Sequence, residues 1–563
     1  MSMTRFVVAA LLFASASALA QTEDGGLPVQ PAVANPGGAD APSQLIREGF
    51  DADAGVEAVA EPAATTEKPA EPATPPAAEP EKKEASGSGL DITAGLAASA
   101  RVSYQGATPF SIDSSGERPP TIAPLLTRVR VTPEIRLKGF GLVGEADTAT
   151  GAIFGIPSAS LVGDRVPYPA ITALDLRKLY LEYRWASGAF RVGLQTQSWG
   201  LGMLANDGAK DPEAGDFGQQ QFGNTTYRAL LAFRPLFNLG GAFRAFETAF
   251  AADLINRDNF GEFARGDRAF QGVLALRFAK DADNTFGVYG VYRTQRNVNV
   301  TDGGKATDVF VVDAAGKWEF FKRRNRVLKV GFEALTINGT TTQARNENAA
   351  LLRVQQFGAA AKISYRANRL TLLADWGFAS GDQNPSDDRI ENFRMDRDFK
   401  VGLVLFDHVM AYQSARAGVR ASDPNLVGVP PEGADLLGTA GSITGVWYLF
   451  PRIKYGLFDW LDVYGGPLFA FGTARLADPF NSRLGGGTAI NPVGGRPGLY
   501  MGTEVDLGVQ ARFRPIPELL ITATGEGGLF LPGDAYNLPP DAAGLVAPMG
   551  PVGFGRIRLM VSI

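Results

Sequence analysis

The chain of 563 residues carries a formal net charge of −5, no cysteine and a single histidine, His408. A nucleic-acid binder would usually be strongly basic, and without cysteine there can be no disulfide, thiolate zinc site, iron–sulfur cluster or cysteine nucleophile. A hydrophobic content of 45% is ordinary for a soluble protein, but a barrel that alternates apolar and polar residues also averages low.

The first segment reads as a secretory signal. Arg5 gives a positive start, Phe6 to Phe13 is apolar, and Ala18-Leu19-Ala20 is a small-residue cleavage pattern before Gln21. With no cysteine there, a lipoprotein anchor is excluded. A membrane helix needs about 20 apolar residues, and no run after Ala20 comes near that. The expectation is an exported chain without a helical anchor.

Residues 21–89 are rich in Ala, Pro, Glu and Gly, and hold 13 acidic and 4 basic residues. Such a segment buries too little apolar surface to offset its ordering entropy. It is expected to be a disordered periplasmic linker, kept extended by proline and charge, and it offers a tether for a periplasmic partner. Without signal and linker, residues 90–563 carry a net charge of +3.

At Leu90 the pattern changes. Leu90, Ile92, Ala94, Leu96, Ala98, Ala100, Val102 and Tyr104 alternate with Asp91, Thr93, Gly95, Ala97, Ser99, Arg101 and Ser103. A period of two over that length is a strand with one apolar face. Val129, Val131, Ile135 and Leu137 then alternate with Arg128, Arg130, Glu134, Arg136 and Lys138. Charge at every other position suits a strand between lipid and water.

The same reading places strands near 90–104, 125–138, 141–149, 174–185, 190–197, 225–234, 243–254, 268–279, 285–296, 307–320, 327–337, 351–365, 370–379, 443–456, 461–475, 498–513, 519–530 and 552–563. Short turns, as at Lys280 to Asn284 and Arg366 to Arg369, alternate with longer polar connections, as at Gln105 to Pro120 and Gly533 to Pro551. Short periplasmic turns and long outer loops are the outer-membrane pattern. The fold class is therefore all-β: a transmembrane antiparallel β-barrel of about 18 strands over residues 90–563, in the cell outer membrane of a Gram-negative bacterium. An even count puts both termini in the periplasm. Parity also makes residues 380–442 one very long extracellular or lumen loop, in which the apolar run Val401 to Phe406 is not a membrane strand. Loops that long are usually functional, and folding into the lumen as a constriction or plug is the expectation. The last strand, ending Ile557, Leu559, Val561 and Ile563 on one face, reads as the closing strand met by the outer-membrane assembly machinery.

A barrel of 16–18 strands leaves an aqueous channel unless something fills it. The polar strand faces then make Arg128, Arg130, Arg136, Arg191, Arg293, Lys329, Arg452, Arg556 and Arg558 pore-lining basic residues, with Glu134, Glu182, Glu333, Asp375, Glu504, Asp506 and Glu526 among the acids. Rings of Arg and Lys favour anions. The competing reading is that these charges pair across neighbouring strands and leave a weakly selective wall.

The stretch Ala379-Ser380-Gly381-Asp382-Gln383-Asn384-Pro385-Ser386-Asp387, with Phe393 following, resembles the alginate-export family of outer-membrane porins, as does Phe190-Arg191-Val192-Gly193-Leu194-Gln195 with Thr196 to Gly200 behind it. That resemblance implies an eighteen-stranded, arginine-lined barrel passing an anionic polysaccharide. The long linker and Gly200-Leu201-Gly202-Met203-Leu204-Ala205-Asn206-Asp207-Gly208 look more like a myxobacterial or other deltaproteobacterial barrel family of unknown function.

Asp382, Asp387 and Asp388 crowd one outer loop and are weak calcium candidates; otherwise they belong to a solvated loop, with no metal. Gly200, Gly202 and Gly208 lack the G-K-[ST] of a phosphate loop and read as a tight extracellular loop. His408 has Asp407 and Ser414 nearby, but no nucleophile motif surrounds either. It is expected to be a loop or plug-packing histidine, and no catalytic residue, enzyme activity or cofactor is expected. Two functions stay open: a porin-like channel for small polar or anionic solutes, or a non-transporting structural or adhesion barrel that binds a partner through its outer loops or linker.

Overall fold

The protein was analysed as a computed structural model, which describes residues 92–119, 123–155, 172–297, 305–323, 325–343, 349–384, 386–430 and 437–563. The segments expected from sequence to be a signal peptide (1–20) and a linker (21–89) lie outside the described residues.

Alternation decides the architecture. In β1 (Ile92–Ala107), Leu96, Val102 and Tyr104 are exposed while Arg101, Ser103 and Gln105 are buried. The strand pairs with β2 (Leu125–Leu137) on one side and with β19 (Val552–Ser562) on the other, antiparallel to both. That double pairing closes the sheet.

Between these strands run β3 (Phe140–Phe154), β4 (Thr172–Trp185), β5 (Gly188–Thr196), β6 (Thr225–Phe233), β7 (Phe246–Arg257), β8 (Asp267–Ala279), β9 (Thr285–Asn297) and β10 (Lys305–Arg323). They continue as β11 (Arg326–Thr341), β12 (Leu352–Ala367), β13 (Leu370–Ala379), β15 (Val446–Phe458), β16 (Leu461–Gly472), β17 (Tyr500–Ile516) and β18 (Leu519–Pro532). Each pairs antiparallel with the next, and β13 pairs directly with β15. The remaining strand, β14, is two residues (Arg389–Ile390) lying parallel to the end of β12, outside the barrel ring. The barrel is thus a closed ring of eighteen antiparallel strands.

The outer face is apolar. Leu179, Leu181, Leu274, Val288, Leu449, Ile453, Leu507 and Leu559 are exposed along mid-strand. Aromatic rings gather at both ends, as interfacial girdles do. Phe140 with Tyr183, and Phe458 with Trp460 and Phe513, sit by the short turns. Tyr104 with Phe154, and Trp447 with Phe471 and Tyr500, sit by the long loops.

Two irregularities matter for the interior. On β4 the register slips against β3 at Glu145/Ala146, so Arg177 is an extra residue between Leu176 and Lys178. Its side chain is turned inward and fully buried. At the outer end, a π-helical turn (Leu405–Met410) runs directly into helix α1 (Ala411–Ala421), followed by the short α2 (Pro424–Val427). A six-residue helix, α3 (Pro479–Leu484), lies beside them, with Asp478 capping its start by accepting the Asn481 N–H at 2.8 Å.

Candidate functional site: the lumen and its two infolded loops

The inner wall should be wet in an open barrel. Here it is largely covered, because two connections fold inward. The first is 197–224. Its backbone carbonyls accept from arginines around the wall: Gly208 from Arg128 on β2 (3.3 Å), Phe222 from Arg177 on β4 (2.7 Å), Gly215 from Arg452 on β15 (2.6 Å) and Phe217 from Arg556 on β19 (2.6 Å). Trp199 stacks on Tyr289 of β9, with ring centroids 5.2 Å apart. A segment touching β2, β4, β9, β15 and β19 crosses the lumen. Gly200, Gly202 and Gly208 therefore belong to a lumen segment, which corrects the extracellular placement expected from sequence. That reading had no term for wall arginines that draw the loop's carbonyls inward.

The second is 380–445. Its apolar run, Val401 and Leu403 to Phe406, is buried inside the barrel. Phe406 meets Tyr448 of β15 at 6.0 Å and His408 meets Phe554 of β19 at 4.4 Å between centroids. Helix α1 then reaches the first outer loop, where Gln413 donates to the Ser111 carbonyl (3.1 Å) and Arg416 pairs with Asp113 (2.9 Å).

Both loops are held by one device used three times: a carboxylate accepting from backbone N–H groups beside a left-handed glycine. Such concave N–H arrays bind anions. Glu333 on β11 accepts from Leu201 (2.5 Å) and Met203 (3.1 Å), next to Gly200 at φ +62°. Glu504 on β17 accepts from Leu403 (2.5 Å), Val404 (2.8 Å) and Leu405 (2.7 Å), next to Gly402 at φ +70°. A Cβ on Gly200 or Gly402 would lie 2.6 or 2.7 Å from the respective glutamate oxygen. The third carboxylate joins the loops to each other: Asp398 accepts from Gln221 (2.8 Å), Phe222 (2.8 Å) and Gly223 (2.6 Å). Asp396 beside it accepts from Asn224 (2.9 Å) and Asn259 (3.1 Å). Burial, and then the charge of Asp398, push the Asp396 carboxyl up to about 8.

The nine basic residues read from sequence fall as follows. Arg128, Arg130, Arg191, Arg452, Arg556 and Arg558 are buried on the inner wall. Arg128 reaches Asp211 of the first lumen loop (2.9 Å), Arg130 pairs with Asp147 (2.6 Å), Arg191 with Glu182 (2.5 Å), Arg452 with Asp375 (2.5 Å) and Arg556 with Glu526 (2.6 Å). Arg558 stands 3.6 Å from Glu526. Arg136 also reaches Glu182 (2.7 Å), near the short-turn end. Arg293 pairs with Asp258 at the outer end, and Lys329 bridges Asp283 (2.9 Å) and Glu319 (3.4 Å) beside a short turn. All nine have a carboxylate within ion-pair reach.

Sequence reasoning missed Arg101 and Arg177 as functional basic residues, and Glu145, Asp147 and Asp211 as their partners. Arg101 was visible on the polar face of β1. Arg177 was hidden, because the bulge breaks the period-2 count at that residue.

His408 is buried, and its Nδ1 has no hydrogen-bond partner among the described residues. Burial lowers its imidazole to about 4, so it packs neutral. Ser414 donates to the Ala411 carbonyl at 3.2 Å and Asp407 pairs with Lys400. Asp382, Asp387 and Asp388 serve the local loop: Asp382 accepts from the Asn384 N–H (2.9 Å), Asp387 from the Arg389 N–H (2.8 Å), and Asp388 pairs with Arg353 (3.3 Å). No cluster of three metal-ligating side chains occurs among the described residues. Asp382, Asp387 and Asp388 are thus not gathered into one such cluster.

A closed ring with an apolar, aromatic-girdled exterior and a charged interior needs lipid outside. The chain is an outer-membrane β-barrel. No family model and no curated protein matches it. Solved structures with a related outline include the outer membrane protein OprD from Pseudomonas aeruginosa, at 10% identity and a TM-score of 0.46, covering 84% of this chain and 94% of that one. The OccD3 (OpdP) structure from the same organism matches at 9% identity and a TM-score of 0.45, covering 84% and 92%. The OccK5 (OpdH) structure matches at 10% and 0.44, covering 84% and 98%. Likeness at this level carries no argument of its own about solute or mechanism.

Proposed function

We propose that this barrel is a porin-like channel, narrowed by its two infolded loops, whose basic wall favours polar or anionic solutes. One observation carries the reading. Across β19, β1, β2, β3 and β4 the inner wall places Arg101, Arg128, Arg130, Arg136, Arg177, Lys178, Arg184, Arg556 and Arg558 against Glu134, Glu145, Asp147, Asp175, Glu182, Glu526 and the loop's Asp211. Pairing leaves that side basic. A low-dielectric wall focuses such a field along the channel axis, and basic rings favour anions. An anionic polysaccharide, the solute implied by the alginate-export resemblance, is one member of that class.

The test is the reversal potential of the mature protein in a potassium chloride gradient. The expected value lies toward the anion side, and replacing Arg128, Arg130 and Arg136 together by Gln should move it toward zero. Selectivity unchanged by the triple replacement would count against this wall. A second reading, the non-transporting structural or adhesion barrel, is favoured by the extent to which the two loops occupy the lumen. It expects no conductance at all.

A further inference from the structure

We infer that Arg101, Arg128 and Arg558 form a binding station for an oxyanion (a carboxylate, phosphate or sulfate group), and that Asp211 of the first lumen loop occupies it as a built-in stand-in. The inference rests on the channel reading above and names the solute chemistry and its coupling to the loop.

The register creates the station. Arg101 and Arg128 are directly opposite across β1 and β2, and Arg558 is opposite Ser103, the next inward residue on β1. Like charges facing each other on a sheet destabilise it, so an anion is called for between them. The anion present is a single carboxylate oxygen: Asp211 Oδ1 lies 3.3 Å from Arg101 and 2.9 Å from Arg128. The neighbouring arginines are already answered. Arg130 makes two bonds to Asp147 (2.6 and 2.9 Å), and Arg556 makes two to Glu526 (2.9 and 2.6 Å). Among the described residues Arg558 donates only a long bond to Gln219 (3.4 Å) and stands 3.6 Å from the other Glu526 oxygen.

Donors are left over. Arg128 Nε and Arg558 Nη2 have no hydrogen-bond acceptor among the described residues, although both side chains are almost wholly buried. A buried donor without an acceptor is costly. A free oxyanion with several acceptor oxygens would satisfy what one shared oxygen does not, and guanidinium forks suit such groups. Asp211 is also the member able to leave. Its side chain is 27% exposed, against 2–3% for Arg101 and Arg128.

Leaving has a consequence. Arg101 also donates to the Gln220 carbonyl (2.9 Å) and Arg128 to the Gly208 carbonyl (3.3 Å). An oxyanion that takes these guanidiniums competes for the loop's anchors as well as for Asp211. Solute binding and withdrawal of the 208–220 segment from the wall are then one event.

The test is titration of the mature protein in detergent with inorganic phosphate at fixed ionic strength, followed by calorimetry. The variants are Asp211→Ala and Asp211→Ala combined with Arg128→Gln, each checked for native strand content by circular dichroism. A tethered competitor acts at roughly millimolar effective concentration. Its removal should tighten phosphate binding by about tenfold or more, and the added Arg128→Gln should abolish that gain. Acetate in a parallel titration separates a carboxylate preference from a phosphate preference. If Asp211→Ala does not fold, Asp211→Asn replaces it with the same expected gain. No gain, or a gain that survives Arg128→Gln, overturns the station. Failure is separable from failure of the channel reading: an anion-selective channel without the gain removes the station alone, and the gain in a silent barrel removes the channel alone.

Discussion

Gly402 shows how little sequence is needed to seat a plug. At φ +70°, a side chain would be strained by about 1–2 kcal/mol, and its Cβ would lie 2.7 Å from Glu504 Oε1. Gly402→Ala should therefore speed amide exchange of Leu403, Val404 and Leu405 by about tenfold. Unchanged exchange would show that Glu504 does not hold the run. Arg177→Ala removes the donor to Glu145 (2.9 Å) and to the Phe222 carbonyl (2.7 Å). Breaking a buried pair costs about 3 kcal/mol or more, so opening of the 207–223 segment should rise about a hundredfold, again read by exchange. Asp396 gives a pH signature. Its carboxyl, at about 8 where the two loops are latched together by Asp398 against an ordinary value of about 4, binds a proton that the opened form releases. The latch is thus at full strength below pH about 4, weakens as pH rises through about 8, and is flat above that. Asp396→Asn should remove the slope in exchange at Gln221 to Gly223, after correction for intrinsic chemistry. At this scale the sequence was legible where charge followed period 2, as at Arg128 and Arg130. It was opaque at Arg177, where one bulge residue reverses the face.

The two lumen loops differ in what betrayed them. The length of 380–442 and its buried-type run at 401–406 flagged it, because a long apolar stretch outside any strand must find cover. The 197–224 loop, rich in Gly, Asn, Asp and Gln, carried no such signal. Its inward fold is set by wall arginines distant in sequence, and a pattern count cannot see those. The lumen position of 380–445 has a direct consequence for proteolysis. Arg397 is buried while Arg389 and Arg483 are exposed. Trypsin acting on the intact barrel should cut after Arg389 and Arg483 and spare the bond after Arg397. Early cleavage after Arg397 would place the second loop outside.

The barrel as a whole was the most legible feature. Closure follows from one requirement, that every backbone polar group within lipid be paired, and alternation with short and long connections made the strands countable. Alternation also marked the charged face. It could not say whether that face meets water, a neighbouring carboxylate or a folded-in loop, since those are contacts between distant segments. A channel narrowed from within must conduct more freely once the narrowing loop is gone. Single-channel conductance in a planar bilayer decides this, comparing the chain without residues 1–20 with the same chain also lacking residues 385–440. A small, anion-favouring conductance that steps up several-fold on deletion is the predicted result. Equal conductance in both would place the loop outside the conduction path, and silence in both would contradict the channel.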